Sequence, residues 1–133
     1  MPLQVISHLE IQINKLGFKY INKGERGFFM KVGFAGFAHS HSISMYNYVN
    51  SSEELELGGV FESDPQIKEQ LKERGIEVTH ESLEALLSEK DIDIIAVGPY
   101  FAERGKTIIA SLKAGKHVIV DKPVCTKLCE IEE

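Results

Sequence analysis

The chain has 133 residues, 43% of them hydrophobic, a formal net charge of -5, and neither a low-complexity tract nor an internal repeat. That is enough for one domain with a real core, and the acidic balance, with Lys and Glu interleaved, excludes a chain-wide nucleic-acid footprint. The longest apolar run, near Ile94 to Val97, is far too short to cross a bilayer, and Met1 to Glu10 lacks the basic start and apolar block of a signal peptide. The expectation is a cytoplasmic protein with no membrane partner.

Residues 1–30 read as an N-terminal extension. Leu3, Ile6, Leu9, Ile13 and Leu16 keep a helical period, although Glu10-Ile-Gln-Ile-Asn14 also alternates as a strand does. The helix is preferred. Phe18 to Ile21, the turn-like Asn22 to Gly27, and Phe28 to Val32 then suggest a hairpin feeding the first strand, with Met30 a natural alternative start.

From residue 31 the pattern becomes regular. Val32, Phe34 and Ala35 suit a strand covered on both faces, and Ile43, Tyr46 and Val49 recur at helical spacing behind it. The turn between them opens a helix N-terminus toward a strand end, where unpaired N–H groups and the helix dipole attract phosphate. Leu55 to Glu62 is a second strand. Asp64 and Pro65 supply an N-cap and N1 proline, Ile67 and Leu71 a buried stripe, and Gly75 a C-cap. Ile76 to Val78 reads as a short third strand, Ser82 to Glu89 as a helix with Leu83, Leu86 and Leu87 inward, and Ile92 to Val97 as a fourth strand ending at Gly98-Pro99. A helix from about Glu103 to Ala114, closed by Gly115, leads to a fifth strand, His117 to Val120. Short strands separated by helices predict an α/β fold: a doubly wound, mostly parallel sheet of order 3-2-1-4-5, with its crevice at the carboxyl ends of strands one and four.

A dinucleotide fingerprint Gly-x-Gly-x-x-Gly falls here on Gly36-Phe37-Ala38-His39-Ser40-His41, so only the first glycine is kept. Ala38 is a mild replacement; His41 should push helix and strand apart or point to solvent. Glu62, at the end of the second strand and 26 positions past Gly36, is placed to accept from both ribose hydroxyls of an adenosine. His39 and His41 also start a metal-like pair, but His80 and His117 belong to other strand entries, so no metal site is expected. Cys125 and Cys129, four apart, predict one helix face and an ordinary helix-start thiol rather than a disulfide framework.

Lys31-Val-Gly-Phe-Ala-Gly36, Gly59-Val-Phe-Glu-Ser-Asp-Pro65, Ser82-Leu-Glu-Ala-Leu-Leu87, Ile92-Asp-Ile-Ile-Ala-Val-Gly-Pro99 and, above all, Ala114-Gly-Lys-His-Val-Ile-Val-Asp-Lys-Pro123 resemble a known family. It is the nucleotide-binding half of the glucose-fructose oxidoreductase and inositol dehydrogenase (Gfo/Idh/MocA) family, over about residues 31–133. The resemblance implies a Rossmann-like domain binding NAD or NADP, with Gly36, Phe37, Ala38, His39, Glu62, Ser63, Gly98, Pro99, Tyr100, Asp121, Lys122 and Pro123 at the cofactor. It implies that Lys122 lies beside the nicotinamide and the reacting hydroxyl as the catalytic residue, and that the peptide before Pro123 is cis. Ser63 leaves NADP open, while the Glu62 carboxylate repels a 2'-phosphate and favours NAD.

Three departures qualify the resemblance: Asp121 stands for the family's glutamate, Glu103 for a frequent histidine, and the chain stops at Glu133, before a sixth strand and a substrate domain. The expectation is therefore the nucleotide-binding domain of an NAD(P)-dependent oxidoreductase acting on a sugar, polyol or related hydroxyl compound. It is catalytically incomplete unless a second domain or subunit supplies the substrate pocket. A non-catalytic binding or assembly module of the same fold is the alternative. The edge of the fifth strand should be covered by the N-terminal hairpin or by another subunit, which allows a homo-oligomer.

Overall fold

The structure is a computed structural model and describes residues 30–133. The helix and hairpin expected before residue 30 lie outside the described residues, as does any cover that hairpin gives the sheet. The described chain runs β1 (Met30–Ala35), α1 (Ser40–Ser51), β2 (Leu55–Phe61), α2 (Pro65–Glu73), α3 (Leu83–Ser88), β3 (Ile94–Val97), α4 (Phe101–Lys113), β4 (His117–Val120) and α5 (Cys129–Glu132). All strand pairs are parallel, in the order β2-β1-β3-β4.

Local chemistry sets the element ends. Asp64 Oδ1 accepts from the N–H groups of Gln66 and Ile67 to cap α2, and Ser82 accepts from Ala85 N to cap α3. Gly75 and Gly115 sit at φ 74° and 75° and close α2 and α4 in the same way. The N–H two residues past each C-cap turns back into the helix, Ile76 to Leu71 O at 2.9 Å and Lys116 to Ser111 O at 3.0 Å.

That closure explains a difference from the expected sheet. Ile76–Val78 forms no strand, because the Ile76 N–H belongs to the α2 cap. Farther on, Thr79 and His80 N–H both donate to Val60 O, while the Thr79 hydroxyl accepts from Val60 N at 2.9 Å. A side chain thus stands in for a ladder partner, and the third strand shrinks to one parallel bridge, Phe61 to His80, beside β2 where the expected order puts it.

The sheet separates two apolar layers. Val32, Phe34, Val49, Val60, Ile67 and Leu71 pack on one face with α1 and α2, and Ala35, Leu86, Ile92, Ile95 and Val97 on the other with α3 and α4. Burying one such side chain fully is worth about 1.5–3 kcal/mol. A bulge between Val32 and Gly33 leaves Gly58 unmatched on β2. At the C-terminal end, Cys129 opens α5 but Cys125 lies in the irregular segment before it, so the two thiols do not share the helix face expected of them.

Candidate functional site

Four parallel strands bring their carboxyl ends to one rim, and the loops leaving that rim carry every residue singled out in the glycine turn, after β2, after β3 and after β4. Gly36 takes φ 91°, and a Cβ there would lie 2.5 Å from Pro99 N. Only glycine fits on both counts. Gly36 N donates to Phe61 O at 2.9 Å, Ala38 N to Gly98 O at 2.8 Å, and Gly98 N to Ala35 O at 2.9 Å. A Cβ on Gly98 would run into the Ser42 hydroxyl of α1. Three strand ends and the start of α1 are thereby tied together.

Glu62 is central to this lacing, and it is buried. Its Oε2 accepts from Phe37 N at 2.7 Å, and its Oε1 from Ser63 N at 2.8 Å and Asp64 N at 2.9 Å. A carboxylate offers about four acceptor positions, so one remains, on Oε2. Two of the N–H groups expected to face phosphate, those of Phe37 and Ala38, are therefore engaged within the protein. The Phe37 ring turns into the core and stacks on Phe34 at 5.6 Å. The N–H groups of His39 and Ser40, at the start of the 12-residue helix α1, have no protein acceptor among the described residues. They are the donors a phosphate could reach. Across the turn, Tyr100 Oη donates to Asp64 Oδ2 at 3.2 Å, and the Asp64 carboxylate raises the Tyr100 phenol above its ordinary pKa by its charge and this bond.

The β4 end is built differently. Arg104 on α4 is 1% exposed and donates from Nε to Pro99 O at 3.1 Å, and from Nη1 to Asp121 O at 2.9 Å and Pro123 O at 3.2 Å. Its guanidinium lies 4.7 Å over the Phe101 ring. Arg104 is thus the tie between the β3 and β4 loops, and sequence reasoning missed it. The available signal was its place on the inward stripe of α4, three before Thr107 and four before Ile108.

The Lys122–Pro123 peptide is cis, as the resemblance implies. Lys122 N donates to Asp121 Oδ1 at 2.8 Å, while its side chain is exposed and its ammonium has no protein partner among the described residues.

His41 points outward rather than between helix and strand, which lets α1 pack through Val49, and its Nδ1 hydrogen-bonds Asp121 Oδ2. That contact, with the Lys122 N–H, holds the Asp121 carboxyl below the usual carboxylate range. His39 Nδ1 accepts from His41 N at 3.3 Å. One ligand atom each of His39, His41 and Asp121 lies within 4.8 Å of the others, so a third group that spacing alone could not place, Asp121, joins the histidine pair from 80 residues away. A depression of about 400 Å³, open to solvent, lies at the opposite end of the strands between Asp93, Lys116 and His117. It holds none of the residues of the rim.

A doubly wound parallel sheet with a glycine turn leading into a helix N-terminus, and an acid at the end of the neighbouring strand, defines a dinucleotide-binding domain. The family model described as "Oxidoreductase family, NAD-binding Rossmann fold" (Gfo/Idh/MocA) matches residues 30–133. The chain belongs to that family and comprises its NAD(P)-binding Rossmann domain. No curated protein sequence matches the chain.

Among solved structures it is similar to biliverdin reductase from Synechocystis in complex with biliverdin and NADP+ (TM-score 0.67, 18% identity, 77% of this chain and 32% of that one). It is likewise similar to scyllo-inositol dehydrogenase from Lactobacillus casei (0.64, 22%, 78% and 31%). A third such structure is UDP-N-acetylglucosamine 3-dehydrogenase from Acidithiobacillus ferrooxidans (0.61, 21%, 78% and 33%). At these identities the likeness concerns the fold. The chain spans about a third of the length of each. Among the described residues, no helix is long and apolar enough to cross a membrane.

Proposed function

We propose that this chain is the cofactor-holding wall of an oxidoreductase that interconverts a hydroxyl and a carbonyl on a sugar, polyol or related compound, with NAD favoured over NADP. The observation that carries the reading is the turn at Gly36. It leaves the His39 and Ser40 N–H groups unengaged at the positive end of a 12-residue helix, on the rim where β1 and β3 end. These donors hold the diphosphate, and Gly36 and Gly98 let the backbones close beneath it.

The remaining Oε2 acceptor of Glu62 takes an adenosine ribose hydroxyl, with the Ser63 hydroxyl beside it. Two carboxylates, Glu62 and Asp64, make the same place hostile to a 2'-phosphate. The loop Gly98-Pro99-Tyr100 borders the cofactor, and the exposed Lys122 ammonium, set by Asp121 and Pro123, orients the reacting oxygen and assists its proton. The nicotinamide, when bound, supplies the hydride chemistry; the chain binds it and fixes where it lies. The named activities of the scyllo-inositol and UDP-N-acetylglucosamine dehydrogenases support a sugar or polyol substrate.

Hydride transfer requires both reactants in contact and shielded from water, and one wall cannot supply that. This chain alone binds and turns over little. Calorimetric titration of the 133-residue chain tests the reading. NAD+ is expected to bind one to one and more tightly than NADP+, by roughly tenfold, the factor that ~1.4 kcal/mol of charge repulsion gives. No heat with either would overturn the cofactor role and leave a non-catalytic module.

A further inference from the structure

We propose that His39, His41 and Asp121 form a site for one divalent metal ion of zinc's class, clipping the turn after β1 to the end of β4. Each residue offers one ligand atom, and the three atoms lie within 4.8 Å of one another. Zinc binds imidazole nitrogen and carboxylate oxygen at about 2.0–2.2 Å, so ligand atoms in a tetrahedral set are roughly 3–4 Å apart. Small side-chain rotations reach that spacing, parting His41 Nδ1 from Asp121 Oδ2 and bringing His39 nearer to them.

The space is already there. A cavity of about 20 Å³ is lined by His39, His41 and Asp121 on one side and by Ser42, Met45, Arg104 and the apolar Ala96, Val97 and Ile119 on the other. That holds one water-sized or ion-sized occupant and nothing larger. The donor set of two imidazoles and a carboxylate suits zinc and its first-row neighbours and leaves further coordination positions open. The His39 and His41 rings meet edge to face with centroids 4.5 Å apart, so the two imidazoles already lie side by side.

Two local charges bear on the site. The Arg104 guanidinium faces the cavity but is directed at the carbonyl oxygens of Pro99, Asp121 and Pro123, so it forms no ion pair with the Asp121 carboxylate. His41 Nδ1 hydrogen-bonds that carboxylate through Oδ2. Binding replaces the hydrogen bond between His41 Nδ1 and Asp121 Oδ2 with one bond from each group to the ion.

Equilibrium dialysis with Zn2+ alone, and visible spectra with Co2+ alone, test the site in the 133-residue chain without any dinucleotide. One Zn2+ per chain is expected, with Co2+ giving the intense visible bands of a low-coordinate site, and added Zn2+ should raise the melting temperature. The Cys125→Ser/Cys129→Ser double variant should keep all three, which separates this site from thiol binding. The near-isosteric Asp121→Asn, and His39→Gln, should each weaken Zn2+ by roughly tenfold or more while far-UV circular dichroism stays native. Absence of saturable one-to-one Zn2+ binding would overturn the proposal. So would binding that Asp121→Asn and His39→Gln leave unchanged, or binding that the cysteine double variant abolishes.

Discussion

The two ends of the rim hold their shape by different means. At the β1–β2 end, backbone meets backbone: Gly36 N on Phe61 O, Ala38 N on Gly98 O, and one buried carboxylate, Glu62, gathering three neighbouring N–H groups. At the β4 end, side chains from distant elements reach in, with Arg104 holding three carbonyl oxygens and His41 meeting Asp121. A backbone-laced turn has one arrangement and fails abruptly when a side chain is forced into it. A loop tied by side chains should loosen while the fold survives. The adenosine half of the proposed site is thus rigid by construction, and the nicotinamide half is adjustable.

The sharpest break is Gly36→Ala. A methyl there must accept φ 91° and an approach of 2.5 Å to Pro99 N. The backbone strain costs about 1–3 kcal/mol, and the overpacking adds about 1–3 kcal/mol. Urea unfolding should show a loss of about 2–6 kcal/mol, a large share of a small domain's stability. A variant as stable as the parent would mean that the turn is pliable and that the two ends do not differ as described.

Arg104→Met should come next and act elsewhere. It removes the donors of three carbonyl bonds from a residue 1% exposed, while nearly matching its length. Losing charge-assisted bonds and leaving carbonyls unpaired costs about 2–4 kcal/mol, reduced by the charge that no longer has to be buried. Amide exchange should quicken around Asp121 and Lys122 and remain slow at Phe37 and Ala38. Equal loosening at both ends would erase the distinction.

The same division governs what could be read from residues alone. The turn at Gly36, the caps at Asp64, Gly75 and Gly115, and the alternation of strands with helices rest on local chemistry, so they were legible in order. The hold of Arg104 on the β4 loop and the meeting of His41 with Asp121 rest on contacts 17 to 80 residues apart, which no local pattern encodes. Glu62 lay between these cases: its position at a strand end could be read, but its three backbone bonds could not. Ile76 failed for a local reason, since a glycine-closed helix engages the N–H that a strand would need.

Glu62→Gln sharpens the comparison from inside the rigid end. The amide cannot accept at both positions, so an NH2 must face one of the N–H groups of Phe37, Ser63 or Asp64, at a cost of about 1–3 kcal/mol. If the remaining Oε2 acceptor also serves a ribose, NAD+ affinity should fall in the same variant with the fold intact at 25 °C. Unchanged affinity would make Glu62 a turn-holder alone.

The smallest effect should come from a pair remote from the rim, which gives a baseline for both ends. Lys31, on β1, bonds Asp91 Oδ2 at 2.6 Å and lies 3.5 Å from Glu56. Its bond to Asp91 raises the Lys31 pKa above 10.5, and the same bond lowers the Asp91 pKa below 3.8. For the carboxylate, a folded value below the unfolded one means stability that is complete above about pH 4 and is lost as pH falls through the lower folded value. For the ammonium the contribution is complete below its unfolded value and is lost as pH rises through the higher folded one. The stability difference between the parent and Asp91→Asn should therefore be flat at neutral pH and shrink toward zero in acid, in denaturant midpoints measured from pH 7 down to 2. Because the pair is exposed, raising the salt concentration should shrink it as well. A difference that grew in acid would reverse the assigned direction, and a pair stronger than Arg104 would overturn the ranking of the two ends.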